Sequence, residues 1–133
     1  MARYATALAG NPYDTYRSID LASRTGGADA HGLVGLLYAE ASRALRSAAW
    51  AAENRRFDVK SERVTRATAI LFALETGLDF ERGGEVSKTL SRVYQGARQQ
   101  VVNASLGADP APFIEVATML DEIAEAWAGV RGR

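Results

Sequence analysis

The sequence predicts an all-α protein, an antiparallel four-helix bundle with a short N-terminal helix or lid segment. Apolar residues recur at alternating spacings of three and four along four long segments, the period of a helix face. Nowhere do polar and apolar residues alternate for the length of a strand. Prolines stand only at positions 12, 110 and 112, so helix-breaking signals are confined to few places. Alanine is abundant and aromatics amount to 8%, a balance that favours helices over sheets.

Residues 1–11 read as flexible and residues 1–25 as a mobile N-terminal segment. Within it Asn11 is a plausible cap and Pro12 a first-turn residue for a short helix over about 13–21. Gly26-Gly27 breaks the chain, and Asp29 caps a long helix running to about residue 53. That helix carries Val34, Leu37, Ala41, Ala44 and Ala48 on one face. The next, about 59–77, repeats the pattern with Val64, Ala67, Leu71, Leu74 and Leu78. A third, about 84–106, carries Val86, Leu90, Val93, Ala97, Val101 and Ala104 and ends at Gly107. Asp109-Pro110 then supplies an N-cap and an N1 proline for a last helix with Phe113, Val116, Leu120, Ile123 and Trp127 on one face. Short connections between such segments make neighbours antiparallel. At 133 residues the chain is a single domain, residues 1–133.

Composition narrows the function classes. Sixteen basic and sixteen acidic side chains cancel, which argues against non-specific nucleic-acid binding. With no cysteine there is no disulfide, thiolate metal site or cysteine nucleophile. No apolar run approaches the ~20 residues of a membrane span, and the first ten residues are too short and broken for a secretion signal. A soluble cytoplasmic domain is the expectation.

Catalytic chemistry finds little footing. His31 is the only histidine and falls in the first turn of a helix, without the partners a triad or metal site needs. Asp121, Glu122 and Glu125 read as a solvated helix face, and Asp79, Glu81 and Glu85 belong to a connection. Gly83-Gly84-Glu85-Val86-Ser87-Lys88 lacks the spacing and the preceding strand of a phosphate loop. Arg43, Arg46, Arg55, Arg56, Lys60, Arg63 and Arg66 cluster around the first interhelical connection and read as a solubilising surface. Neither a catalytic residue, a cofactor nor a metal is expected.

Three large apolar residues lie off the core stripes: Leu36 and Trp50 on the first long helix, Phe72 on the second. Such residues form grooves for partner helices, or are ordinary exposed residues on wide stripes. Tyr13, Tyr16 and Ile19 share one side of the N-terminal helix, and an aromatic with a polar tip suits a detachable contact, a lid.

The connection Leu78-Asp79-Phe80-Glu81-Arg82-Gly83-Gly84-Glu85-Val86 resembles the L-D-x-E-x-G-G-E-[IV] signature of the flagellar secretion chaperone family, FliS. Asn11-Pro12-Tyr13-Asp14-Thr15-Tyr16 is similar to that family's N-P-Y-x-x-Y opening, and Leu36-Leu37-Tyr38-Ala39-Glu40-Ala41 to its L-x-L-Y-[DE]-G-A segment. Leu90, Val93-Tyr94 and Ala126-Trp127 extend the likeness in the right order. The chain departs from the family at 25–29, where Gly26-Gly27 replaces a T-A-S-P run, and at Gln99-Gln100, where arginines are common. The resemblance implies a cytoplasmic bacterial export chaperone that binds the C-terminal helical region of flagellin one-to-one, without catalysis or nucleotide. It also implies prevention of premature polymerisation and delivery to the flagellar type III export apparatus, with export-gate components as further partners. On that reading Leu36, Tyr38, Trp50, Phe72 and Tyr94 line the client groove, and Tyr13, Tyr16 and Ile19 form the lid. A self-associating structural or regulatory bundle is the alternative; neither reading involves nucleic acid or membrane insertion.

Overall fold

A computed structural model describes residues 30–130. The described residues are helical, with four helices: α1 (Ala30–Glu53), α2 (Phe57–Thr76), α3 (Phe80–Ala104) and α4 (Ala111–Gly129). The expected N-terminal helix, with Tyr13, Tyr16 and Ile19, lies outside the described residues. Contacts run α1 to α2, α2 to α3, α3 to α4 and α4 back to α1, a closed ring of neighbours. Trp127, late in α4, reaches back to His31 at the start of α1, and Arg46 pairs with Asp121 midway. Lys60, early in α2, reaches the end of α3. These pairings fix the antiparallel sense expected for a bundle with short connections.

The core follows the stripes closely on α1, α2 and α4. Tyr38, Leu45, Leu71, Tyr94, Val101, Phe113 and Leu120 are its largest fully buried side chains. On α1 the buried face is largely alanine, from Ala41 through Ala52, which lets α2 and α4 approach that helix closely. Leu36 and Trp50, off the stripe, are 64% and 51% exposed.

Each connection has its own chemistry. After α1, the Arg56 N–H donates to Ala51 O and the Asn54 side-chain amide to Trp50 O, satisfying carbonyls that the helix end leaves open. Arg55 turns the corner with φ of 56°, a left-handed conformation uncommon for a residue with a Cβ. Before α4, Asp109 Oδ1 accepts the Ala111 N–H at 2.9 Å, so the aspartate caps the opening turn.

The largest departure from expectation is at α3, which begins at Phe80 rather than Gly84. Asp79 is its N-cap, accepting the Glu81 and Arg82 N–H groups at 3.1 Å. One turn later the helix breaks: Gly84 has φ 50° and ψ −121°, the mirror image of extended backbone that glycine alone adopts freely. The Ser87 hydroxyl donates to Asp79 O across the break at 2.9 Å. A Cβ on Gly83 would lie 1.9 Å from that hydroxyl oxygen, so the two glycines are required for different reasons, one for room and one for its dihedral. The break also shifts the phase of the helix, and Val86, expected on the core stripe, is 66% exposed.

Lys60 corrects the reading of the basic cluster as wholly solvated. It is 6% exposed, and its ammonium donates to Ser105 O and Gly107 O at 2.8 Å. The last carbonyls of a helix have no intrahelical donor and carry partial negative charge, so a cation there is both capped and capping. The ammonium also stands 4.9 Å from the Phe57 ring centroid, within cation–π range.

Candidate functional site

Recesses among the described residues include two of about 500 Å³ or more. The first is a groove of about 590 Å³ between α2 and α3. Thr65, Thr68, Ala69, Phe72 and Glu75 face it from α2, and Gln95, Arg98, Gln99 and Val102 from α3. Both sets follow i, i+3, i+4, i+7 spacing, which places each on one helix face. Phe72 is half-buried, and the Arg98 guanidinium lies 5.2 Å from its ring centroid. Arg98 donates to Glu75 Oε1 at 2.6 Å, and Gln95 to Glu75 Oε2 at 2.7 Å. The groove therefore combines an apolar floor with polar walls whose two charges neutralise each other.

The second recess, about 500 Å³, sits at the end of the bundle where α1 and α3 begin and α2 and α4 finish. Val34, Leu37, Leu74, Leu78, Leu90 and Trp127 make it mainly apolar. Tyr38 and Tyr94 lie at its inner side, 2% and 1% exposed, with their hydroxyls 2.6 Å apart. Burial pushes both phenols above their ordinary range, and the shared hydrogen bond holds Tyr94 higher still. The pair is thus a neutral link between α1 and α3. Trp127 forms another wall: its indole N–H donates to His31 O at 2.7 Å, and its ring stacks on the imidazole at 4.3 Å.

The five groove residues expected from sequence fall in separate places. Phe72 lines the α2–α3 groove, and Tyr38 and Tyr94 line the end cavity. Leu36 and Trp50 project from α1 and line neither recess. Sequence reasoning passed over Thr65, Thr68, Glu75, Gln95, Arg98 and Gln99 as wall residues. Their helical spacing around Phe72 was the available signal. Trp127 was read as a stripe residue, and its place at the cavity follows from the antiparallel return of α4 to α1.

Among the described residues no three His, Asp or Glu side chains converge as a metal site, and no helix is long and apolar enough to cross a membrane. Partial burial pushes the Asp121 carboxyl up, but hydrogen bonds from Ser42 and Arg46 outweigh it and hold the group below its ordinary value. That is an ion pair joining α1 and α4. The fold of the described residues defines a class, an antiparallel four-helix bundle.

The chain belongs to the FliS family: the sequence model described as flagellar protein FliS matches residues 11–133. It is 30% identical to the flagellar secretion chaperone FliS of Vibrio cholerae serotype O1 over 112 residues, 84% of this chain and 82% of that one. It is similar to flagellar secretion chaperone FliSB of Pseudomonas aeruginosa, at 29% identity over 86% of this chain and 91% of the relative. It is 33% identical to FliS of Salmonella typhimurium over 84% of each chain. The family is one of secretion chaperones, not of enzymes, in keeping with a flagellar export chaperone.

Proposed function

We propose that this protein binds the C-terminal helical region of flagellin in the bacterial cytoplasm, prevents its premature polymerisation and delivers it to the flagellar type III export apparatus. The observation that carries the reading is the open α2–α3 groove with half-buried Phe72 on its floor, in a chain of the flagellar secretion chaperone family. An unassembled amphipathic segment has little core of its own. Helix-in-groove contact buries its apolar stripe, and the ordering cost keeps the complex reversible. No nucleotide is needed, because displacement at export-gate components releases the client.

In this proposal residues 1–133 act as one chaperone domain and residues 1–25 as a mobile segment, with Tyr13, Tyr16 and Ile19 as a lid. Ala30, the first described residue, lines the end cavity. Phe72 seats the client in the groove, Tyr38 and Tyr94 back the end cavity, and Leu36 and Trp50 are apolar contacts for client wrapped outside both.

The experiment is calorimetric titration of the purified protein with the C-terminal segment of flagellin from the same source. We expect saturable one-to-one binding with a negative heat-capacity change, the mark of apolar burial. A folded monomer that shows no heat of binding would reject the reading. The exposure of Leu36 and Trp50 outside both recesses favours one alternative, self-association. Sedimentation equilibrium decides it: a mass that rises with concentration supports self-association, and a constant monomer mass removes it.

A further inference from the structure

The α2–α3 groove has a donor–acceptor pattern that restricts its occupant. Its ionisable groups, Glu75 and Arg98, are paired at 2.6 Å, and the second Glu75 oxygen is occupied by Gln95. No unbalanced charge lines the groove. The remaining wall polar groups are two hydroxyls and two amides, and their protons are largely engaged within the bundle. Thr65 Oγ1 donates to Ser61 O and Thr68 Oγ1 to Val64 O, each at 2.9 Å. The Gln95 amide N–H₂ serves both Glu75 and Ser91, and Gln99 donates to Asn103 Oδ1 at 3.2 Å. What these four side chains have left is chiefly oxygen lone pairs.

We infer that the groove selects a client segment with an apolar ridge flanked by neutral hydrogen-bond donors, the side-chain amides of asparagine or glutamine, in preference to charged residues. This rests on the reading above that the groove receives the client. Ala69, Phe72 and Val102 take the ridge, and the threonine and glutamine oxygens on either side accept the amide N–H groups. A client carboxylate would face those acceptors, and the Arg98 charge is already neutralised by Glu75, its unpartnered Nε–H being buried. A client ammonium would lose water against walls of no net negative charge. Burying a charge without a counter-ion costs far more than burying an amide that gains a hydrogen bond. The groove therefore discriminates by polarity, and binding there is insensitive to ionic strength.

The test is titration of the full-length protein with the flagellin C-terminal segment at about 50 mM and about 500 mM sodium chloride, a range over which screening of exposed charges changes greatly. The unmodified protein is compared with the double variant Thr68→Val/Gln99→Leu and with Thr118→Val, which lies on exposed α4 surface away from the groove. We expect affinity to change less than about twofold with salt, to fall about fivefold in the double variant, as loss of one good hydrogen bond implies, and to be unchanged by Thr118→Val. A roughly tenfold loss in high salt overturns the inference, because it means that Arg98 exchanges Glu75 for a client carboxylate or that other charge pairs dominate. Full affinity in a double variant with an unchanged helical signal overturns it as well. Both leave the chaperone reading intact, whereas absence of binding by the unmodified protein at either salt removes that reading and this one together. The salt comparison needs no variant, so a misfolded double variant does not protect the inference.

Discussion

Replacing Gly84 by alanine isolates the backbone of the Asp79–Ser87 connection from its packing. Nothing lies within 4 Å of the Cβ that the substitution adds, so no clash contributes. The cost arises from φ 50° and ψ −121°, which an L-residue adopts at a penalty of about 1–3 kcal/mol. Gly96, within the same helix, supplies the control. Its added Cβ is also free of contacts and its φ is not positive, so Gly96→Ala should stabilise by about 0.5–1 kcal/mol through helix propensity. At about 4 °C for each kcal/mol in a domain of this size, Gly84→Ala should melt roughly 4–12 °C lower and Gly96→Ala roughly 2–4 °C higher. Thermal unfolding followed by far-ultraviolet circular dichroism, with both variants in one buffer, reads the difference. If Gly84→Ala melted at or above the unmodified protein, the break in α3 would not demand glycine and this account of the motif would fail.

Lys60→Met removes two charge-assisted hydrogen bonds to the end of α3 and leaves carbonyls unpaired; we predict a loss of about 2–4 kcal/mol in urea unfolding. Tyr94→Phe strands the buried Tyr38 hydroxyl and should cost about 1–3 kcal/mol, part of which returns in the double variant with Tyr38→Phe. Because both phenols have folded pKa values raised above 10.0, the unfolded chain releases those protons first as pH rises. Their contribution is full below about pH 10 and declines above it, so melting temperature should fall beyond that pH less steeply in the double phenylalanine variant. Phe72→Asp should weaken flagellin binding at least tenfold while unfolding stays cooperative; a protein that failed to fold would place Phe72 in the core and end its assignment to the groove.

Helix periodicity was legible wherever one stripe faced one core. Val34 through Ala48, Val64 through Leu74 and Phe113 through Trp127 keep a single phase, and the bundle follows from them. Val86 misled because a stripe presumes unbroken helical phase, which the dihedral of Gly84 interrupts. Lys60 misled because composition assigns lysine to solvent, and only tertiary structure brings the carbonyls of Ser105 and Gly107, at and just beyond the end of α3, to its ammonium. The recesses were less legible than the helices. Phe72 could be flagged as off-stripe, but the walls around it combine two helices whose relative rotation no local pattern encodes. Tyr38 and Tyr94 stand 56 positions apart, and their meeting depends on packing across the bundle.

The Lys60 clasp also bears on the order in which the protein assembles and comes apart. It joins positions 45 and 47 residues apart, closing the α2–α3 hairpin at the end far from its 77–79 connection. Contacts beside that connection are local and form quickly, whereas the clasp gains nothing until the two helices have come together along their whole length. An interaction completed that late leaves the folding rate nearly unchanged and acts on the rate of unfolding. The lysine is in that sense a latch on lifetime: its loss should shorten the residence of the folded state while refolding proceeds at almost its original speed.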